Sequence, residues 1–302
     1  MSIYTVVVLE EDAGTRIDLF LMNFALSFEL GLSRTALQNL MALGAVKVNG
    51  SVVFKTNFKV QTGQEVVLDA GEPKQSEVLV AEDIPLDVVY EDKDLAIINK
   101  PGGLVVHPAP GNKLHTLVQA LMHRFTELSN VNPERPGIVH RLDKETSGLL
   151  VIAKNNKTHY ALAEQFADHS IKRKYVALVK GRVEYDENII EMSIGRHPKK
   201  REHMAVGIGT NPRYAKTKYR TLKRSDTNTL LELEPFTGRT HQLRVHLAFI
   251  GHPIMGDTKY GRQVPFPRMA LHARYLGFIH PSTGKFVEFS TGIPKEFTDA
   301  VK

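Results

Sequence analysis

The chain has 302 residues, 42% hydrophobic and 24% charged, which is an ordinary composition for a globular protein of roughly two domains. It contains no cysteine, and this excludes disulfides, thiolate nucleophiles, iron–sulfur clusters and cysteine-ligated zinc. No run approaches the roughly 18 apolar residues of a membrane span, and residues 1–14 carry acids where a secretion signal carries lysines. We therefore expect a cytoplasmic protein that makes no contact with a membrane.

The positive charge is concentrated in one segment. The net charge is +6, but residues 169–224 contain fifteen Lys or Arg against five Asp or Glu, a local +10 that leaves −4 for the other 246 residues. The same segment holds four tyrosines, namely Tyr175, Tyr185, Tyr214 and Tyr219. Cationic and aromatic side chains together suit phosphates and stacked bases, although a solvated charged face remains an alternative.

The first seventy residues alternate between strand and helix signals. Residues 3–9 read as a strand, and residues 16–28 carry one apolar helical stripe formed by Ile17, Phe20, Leu21, Phe24 and Phe28. A second helix begins at Ser33, a suitable N-cap, and ends at Gly44. Residues 45–53 alternate around Asn49-Gly50, a strong hairpin signal, and residues 62–68 read as a further strand.

Two helices followed by "VKVNG" and "TGQEVVL" resemble the S4-like RNA-binding domain over residues 14–70. The resemblance implies that this domain, residues 1–70, presents polar and cationic side chains to RNA, and the matching positions are Arg16, Ser33, Arg34, Lys47 and Asn49. A generic small α+β domain is the alternative interpretation. Residues 71–82 contain Gly, Pro and three acids without periodicity, which predicts a linker.

Residues 83–302 predict a second, larger domain. Helical patterns cover residues 116–125, 157–167 and 240–250, and strand patterns are more numerous, among them residues 175–179, 214–222 and 229–233. Because strands outnumber helices and rarely alternate with them, we predict an α+β fold with a large, mostly antiparallel sheet flanked by helices.

Several common chemistries lack their sequence signals. No phosphate-binding loop is present, and Gly207-Ile208-Gly209 lacks the third glycine of a dinucleotide fingerprint, so we expect no nucleotide cofactor. His241 and His246 point about 140° apart on a helix and cannot share a metal, and we expect no metal site. Ser147 does not lie in a nucleophile elbow, and Thr146-Ser147-Gly148 reads as a turn.

One acid stands out by its setting. Asp143 lies between Arg141 and Lys144, just before an apolar run that reads as a buried strand. Cationic neighbours keep a carboxylate ionised, as a nucleophile or a general base requires. The surrounding segment, "HRLDKETSGLLVIAK", resembles the catalytic signature of the RluA family of pseudouridine synthases.

Three further segments are similar to blocks of the same family, in the same order: residues 88–108, 171–181 and 238–261. Together with the N-terminal domain, "RHPKKREHMAV" most resembles the branch that modifies large-subunit ribosomal RNA. The chain departs from that branch by being short between Tyr260 and Ala270 and by stopping soon after Pro294. These differences put the target uridine in doubt, but not the reaction.

The resemblance implies a cofactor-independent isomerisation of an extruded uridine, with Asp143 acting near C1′ or the 2′ position, Tyr175 stacking on the uracil and Arg244 pairing with the aspartate. Arg141 is implied either to fill the vacated base stack or to balance charge. The family's substrate-binding motif covers His140, Arg141, Leu142, Thr146, Gly148, Gly238, Thr240, His241, Gln242 and Leu243. Covalent addition and 2′-proton abstraction by the aspartate both remain open.

Each implied role has a structural alternative, since Tyr175 and Leu243 also suit a core and Arg244 also suits a salt bridge. Three functions stay open: a ribosomal RNA synthase, a transfer RNA synthase, and a non-catalytic RNA-binding or assembly factor. The first is the leading hypothesis, with ribosomal RNA as partner and a monomeric protein.

Overall fold

The computed structural model describes residues 2–28, 30, 32, 34–71, 79–108, 111–200, 202–261 and 266–302. Ser33 and residues 72–78 of the expected linker lie outside the described residues. The chain divides into two compact units: residues 1–80 with 130–136, and residues 81–129 with 137–302. No helix in the described part of the chain is long and apolar enough to cross a bilayer.

The N-terminal unit is a four-stranded antiparallel sheet with two helices. Its strands follow the order β1-β4-β2-β3. The elements are β1 (Ile3–Val7), a 3-10 turn (Glu10–Asp12), α1 (Ile17–Ser27), α2 (Arg34–Ala42), β2 (Val46–Val48), β3 (Ser51–Val52) and β4 (Glu65–Asp69). Asn49 and Gly50 have φ angles of 47° and 79°, as the tight turn between β2 and β3 requires. Phe28 departs from the predicted stripe, because α1 ends at Ser27 and leaves that ring exposed.

The larger unit is built around one mixed sheet of nine strands. The strand order is β5-β6-β7-β15-β8-β14-β13-β9, and β16 also pairs with β15. The strands are β5 (Val88–Glu91), β6 (Leu95–Lys100), β7 (Ser147–Ala153), β8 (Lys172–Lys180), β9 (Glu187–Glu191), β13 (Lys216–Arg224), β14 (Asn228–Pro235), β15 (Leu271–Ile279) and β16 (Phe286–Ser290). Only β7 and β15 pair in parallel within the described sheet. The predicted α+β fold with a large, mostly antiparallel sheet is therefore confirmed.

A small second sheet and four helices complete this unit. They are β10 (Ile194–Arg196), β11 (Met204–Val206), β12 (Thr210–Arg213), α3 (Leu117–Arg124), α4 (Asn156–Ala167), α5 (Gln242–Phe249) and α6 (Lys295–Asp299). Apolar side chains join β8, β14 and β15 to α5 and α6 in one cluster, and β6, β7 and β15 to α4 in another. A third cluster packs the small sheet on α5. Burial of these faces holds α5 rigidly beside the end of β14.

The parallel contact between β7 and β15 depends on Gly148. Its φ is 113°, and a Cβ atom there would lie 2.2 Å from the carbonyl oxygen of Ala273. Only glycine allows this backbone conformation and so close an approach. The strand β7 begins at Ser147. Two of the three residues predicted as a turn, Ser147 and Gly148, therefore lie in the strand.

Candidate active site

A cavity of about 540 Å³ opens beside the loop that precedes β7. It collects the sequence-predicted residues His140, Arg141, Leu142, Asp143, Thr146, Tyr175, Gly238, His241, Gln242, Leu243 and Arg244. Two predicted positions lie elsewhere: Gly148 shapes the strand contact described above, and Thr240 lines a neighbouring cavity. The size suits one nucleoside-sized ligand.

Asp143 provides the only carboxylate among the described residues that line this cavity. It lies in the loop before β7, where the backbone N–H of Thr146 donates to its carbonyl oxygen at 3.1 Å. Four arginines share the lining with it, namely Arg141, Arg173, Arg239 and Arg244. The cavity therefore offers one negative group in strongly cationic surroundings.

Arg244 orients this carboxylate from the first turn of α5. Its NH1 group donates to Asp143 Oδ2 at 3.0 Å, while its Nε and NH2 groups hold both oxygens of Asp257 at 2.7 and 2.9 Å. The Arg244 side chain is 6% exposed and that of Asp257 is fully buried. Burial disfavours both charges, but the mutual hydrogen bonds and attraction outweigh it, raising the pKa of Arg244 and lowering that of Asp257.

Asp257 is itself fixed by the backbone. The N–H groups of Lys259 and Tyr260 donate to its Oδ1 at 2.9 and 3.1 Å. Asp143, Arg244 and Asp257 therefore form one chain of charge-assisted hydrogen bonds, anchored at its buried end. The sequence did not assign Asp257 a role. Asp257 is the acid of the segment "MGDTKYG", but no feature of the surrounding sequence indicates that it pairs with Arg244, thirteen residues earlier.

His241 faces the other oxygen of the carboxylate. Its Nε2 lies 3.9 Å from Asp143 Oδ1, and its Nδ1 lies 2.8 Å from the hydroxyl of Tyr260. The Tyr260 oxygen also accepts the N–H of Met204 at 2.8 Å, which fixes the hydroxyl beside the His241 ring. Burial lowers the pKa of His241, so the ring is neutral near pH 7.

Tyr175 and Arg173 lie on the same face of β8, two residues apart. Burial raises the pKa of Tyr175, and its hydroxyl has no hydrogen-bond partner among the described residues. The Arg173 guanidinium lies 5.8 Å from the ring centroid of Phe166, and NH1 is 3.4 Å from where a Cβ on Gly238 would be. Alternation along β8 from Tyr175 is the sequence signal that identifies Arg173.

Other predicted residues are held firmly by the protein. The Nε2 atom of His140 accepts the N–H of Val151 at 3.1 Å, and burial lowers the pKa of this histidine to about 3. The side-chain amide of Gln242 bonds Thr237, Lys216 and Thr217 as well as the Arg239 N–H, so it fixes the loop before α5. Leu243 lines the cavity and also belongs to the core cluster. Arg141 is exposed at the rim, 3.5 Å from His107.

Lys100, the last residue of β6, supports the Asp143 loop through buried hydrogen bonds. The residue is fully buried, and its ammonium donates to the carbonyls of Pro101, Leu104 and Lys144 at 2.8, 2.9 and 2.9 Å. Burial lowers its pKa to about 8, against the opposing attraction of Glu145 and Asp143. The lysine thus ties the end of β6 to the residue that follows Asp143.

One cluster has the composition of a metal site, formed by Asp92, Asp94 and His280. Protein donors already occupy the Asp92 carboxylate: the N–H groups of Asp94 and Leu95 bond one oxygen, and Tyr90 and His280 bond the other, all at 2.8 to 2.9 Å. This cluster therefore braces the turn between β5 and β6. His246 is likewise structural, with its ring nitrogens 3.0 Å from Thr217 and from the Met192 carbonyl.

Two of the cations predicted to contact RNA form ion pairs inside the N-terminal unit. Arg16 and Arg34 both bond the buried Asp18, at 3.1 and 2.7 Å, and Gln38 adds a third donor. Burial opposes the charge, but these donors outweigh it and lower the pKa of Asp18 to about 2. Lys47 is exposed on β2, and the Asn49 side chain accepts the N–H of Glu65 at 2.8 Å.

Comparisons with known proteins give this geometry a family. A sequence model described as RNA pseudouridylate synthase matches residues 94–249. An uncharacterized RNA pseudouridine synthase of Bacillus subtilis is 45% identical, covering 97% of this chain and 95% of that protein. Ribosomal large subunit pseudouridine synthase D of Zymomonas mobilis is 41% identical, covering 95% and 93%.

A solved structure agrees with these sequences. Human RNA pseudouridylate synthase domain containing 1 superposes with a TM-score of 0.60 at 30% identity, covering 71% of this chain and 86% of that chain. The matched span includes Asp143, Tyr175 and Arg244, and the resemblance read from the sequence motifs is confirmed. This chain belongs to the RNA pseudouridine synthase family and is an isomerase that acts on RNA.

Proposed function

We propose that the enzyme converts uridine to pseudouridine in large-subunit ribosomal RNA, with Asp143 as the group that acts on the extruded nucleotide. The observation that carries this proposal is the solitary carboxylate of the cavity, held by an arginine that a second, buried carboxylate fixes in place. Cleavage of the N1–C1′ bond and formation of C5–C1′ need one such group and no redox partner. The C5 proton is lost and N1 gains one, so the atoms balance.

Three neighbours receive roles in this proposal. Arg244 orients Asp143, because its guanidinium donates a charge-assisted hydrogen bond to the carboxylate at 3.0 Å. Tyr175 supplies a flat apolar surface on which the uracil stacks while it turns. Arg141, exposed at the rim, enters the RNA stack where the base has left.

Large-subunit ribosomal RNA is supported as the substrate by the relatives. Besides the Zymomonas protein, ribosomal large subunit pseudouridine synthase D of Vibrio parahaemolyticus is 38% identical, covering 97% of this chain and 92% of that protein. The N-terminal unit, whose sequence resembles the S4-like RNA-binding domain, is proposed to bind a structured RNA, with Arg16, Arg34, Lys47 and Asn49 as the candidate contacts.

The catalytic assignment is tested with Asp143→Asn in the full-length protein. Tritium release from RNA containing [5-³H]uridine follows the C5 proton directly. We expect no release by the variant and an RNA affinity within about twofold of wild type, since asparagine has nearly the same shape and its side-chain oxygen can still accept the hydrogen bond from Arg244. Glu145→Gln is the matched control, because it neutralises an exposed acid of the same loop that does not line the cavity. Turnover by Asp143→Asn contradicts the assignment.

The substrate is tested separately by mapping pseudouridine in ribosomal and transfer RNA from cells with and without the gene. Loss of specific sites in large-subunit ribosomal RNA is the expected result. Loss confined to transfer RNA identifies the alternative substrate, and it leaves the role of Asp143 untouched.

A further inference from the structure

A second cavity, of about 500 Å³, adjoins the active site. It is bounded by the small sheet and by the loop that leads into α5, and we call it the arginine cavity after Arg196, Arg213 and Arg239, which line it. Its described lining contains no carboxylate. A concave surface with three guanidinium groups and no acid attracts anions.

These arginines differ from most of the cations on the neighbouring strand β13. Along β13, four of the five cations are paired with an acid: Lys216 with Glu191, Lys218 with Glu187, Arg220 with Glu232 and Arg224 with Asp186, at 2.6 to 3.3 Å, while Lys223 is exposed. Within the part of the chain that the structure describes, Arg196 and Arg213 form no ion pair and no side-chain hydrogen bond. Arg239 donates one side-chain hydrogen bond among the described residues, from its Nε to the Tyr214 carbonyl at 3.0 Å. Part of the local +10 therefore lies at the arginine cavity, where no acid of the described lining neutralises it.

The frame that carries these arginines is rigid. Gly195 and Gly209 cross so closely that a Cβ on Gly209 would lie 2.3 Å from the Gly195 carbonyl carbon. Ile194 pairs with Arg213 across the small sheet. Its side chain is buried against Ala215, which precedes β13, and against Val245 of α5. The side chains of Arg196 and Arg213 thus project from a fixed backbone, which reduces the entropy lost when they bind a ligand.

The arginine cavity and the active site share part of their walls. Gly238 and Arg239 line both cavities. The hydroxyl of Tyr260 also connects them, since it accepts the Met204 N–H from β11 and bonds His241, the neighbour of Asp143. An RNA strand that places one nucleotide beside Asp143 therefore brings the neighbouring nucleotides to the arginine cavity.

We infer that the arginine cavity binds backbone phosphates of the nucleotides that flank the target uridine, an inference that rests on the proposed function for the identity of the anion as RNA. Guanidinium groups match phosphate oxygens in pairs, and phosphates recur on each side of an extruded nucleotide. Such contacts fix the register of the RNA without reading its sequence. Uridine selection remains with the first cavity.

The test compares full-length wild type, Arg196→Gln/Arg213→Gln and the control Lys223→Gln, using a labelled 20-nucleotide oligouridine from low to moderate KCl. Lys223 is exposed at the far end of β13, about 20 Å along the strand from Lys216, so the control removes charge outside the arginine cavity. Each lost phosphate contact flattens the slope of log affinity against log salt by about 0.7, so the double variant is expected to lose about 1.4. Equal melting temperatures verify folding, since both arginines are exposed.

A double variant with the wild-type salt slope overturns the inference, and so does a control that flattens the slope by as much per charge. Pseudouridine formation by wild type in an unmodified large-subunit ribosomal RNA transcript is measured in parallel. Failure of that reaction refutes the proposed substrate, while the slopes with oligouridine still decide the arginine cavity.

Discussion

Replacing Asp257 by asparagine is expected to destabilise the catalytic unit far more than replacing Asp143 by asparagine, although both acids bond Arg244. Asp257 is fully buried, bonds two guanidinium nitrogens and accepts two backbone N–H groups. Asp143 makes one bond to Arg244, at 3.0 Å, and its side chain is 25% exposed. Asparagine at position 257 keeps one acceptor, turns an NH2 group toward guanidinium donors and leaves the Arg244 charge short of its buried partner.

The magnitudes follow from burial. Removing one partner of a buried ion pair costs about 3–5 kcal/mol, whereas a partly exposed single contact is worth about 1 kcal/mol or less. For a unit of this size, each kcal/mol shifts the melting temperature by about 2–4 °C. We therefore expect Asp257→Asn to melt about 6–20 °C lower than wild type, and Asp143→Asn at most about 4 °C lower.

Urea denaturation and thermal melting measure the stability, and single-turnover tritium release measures the reaction. Asp143→Asn should be stable and inactive, whereas Asp257→Asn should be unstable, with residual activity in the folded fraction below that of wild type. The lowered pKa of Asp257 means that its stabilisation is present above its unfolded pKa of about 3.9 and is lost as the pH falls. The Asp257→Asn variant should accordingly lose less stability than wild type on acidification. Equal destabilisation by the two substitutions would refute the assignment of Asp257 as the buried anchor.

Three other substitutions follow from the same structure. Gly148→Ala places a Cβ against the Ala273 carbonyl at positive φ and should cost at least about 3 kcal/mol in urea titrations; a near-neutral result contradicts the close strand contact. Between pH 8 and 10.5 the unfolded chain binds more protons at Lys100 than the native state does, so this lysine makes stability rise with pH, and Lys100→Met should abolish that rise in denaturation measured across the range. Asp18→Asn should destabilise the N-terminal unit by about 1–2 kcal/mol, because the donors from Arg16 and Arg34 lose a charged acceptor; hydrogen exchange confined to that unit detects the change, and uniform exchange argues against it.

Local signals predicted much of the fold and part of the site. The Asn49-Gly50 turn and the end of α2 before Gly44 follow from backbone preferences that neighbouring residues express alone. The loop of Asp143 was recognisable because its motif is contiguous. Asp257, Arg173 and Lys100 were missed as site residues, because each acts through a partner that is distant in sequence or on another strand.

The sequence by itself determined the α+β class, the order of the elements and the family to which the chain belongs, since these depend on local periodicity and contiguous motifs. Only the tertiary structure decided which charges are available. The +10 of residues 169–224 is a sum over the chain, but pairing across strands matches four of the five β13 cations with acids and leaves the arginine cavity without a carboxylate in its described lining. Coulomb interactions depend on distance in space, and sheet register, which no short segment encodes, sets that distance.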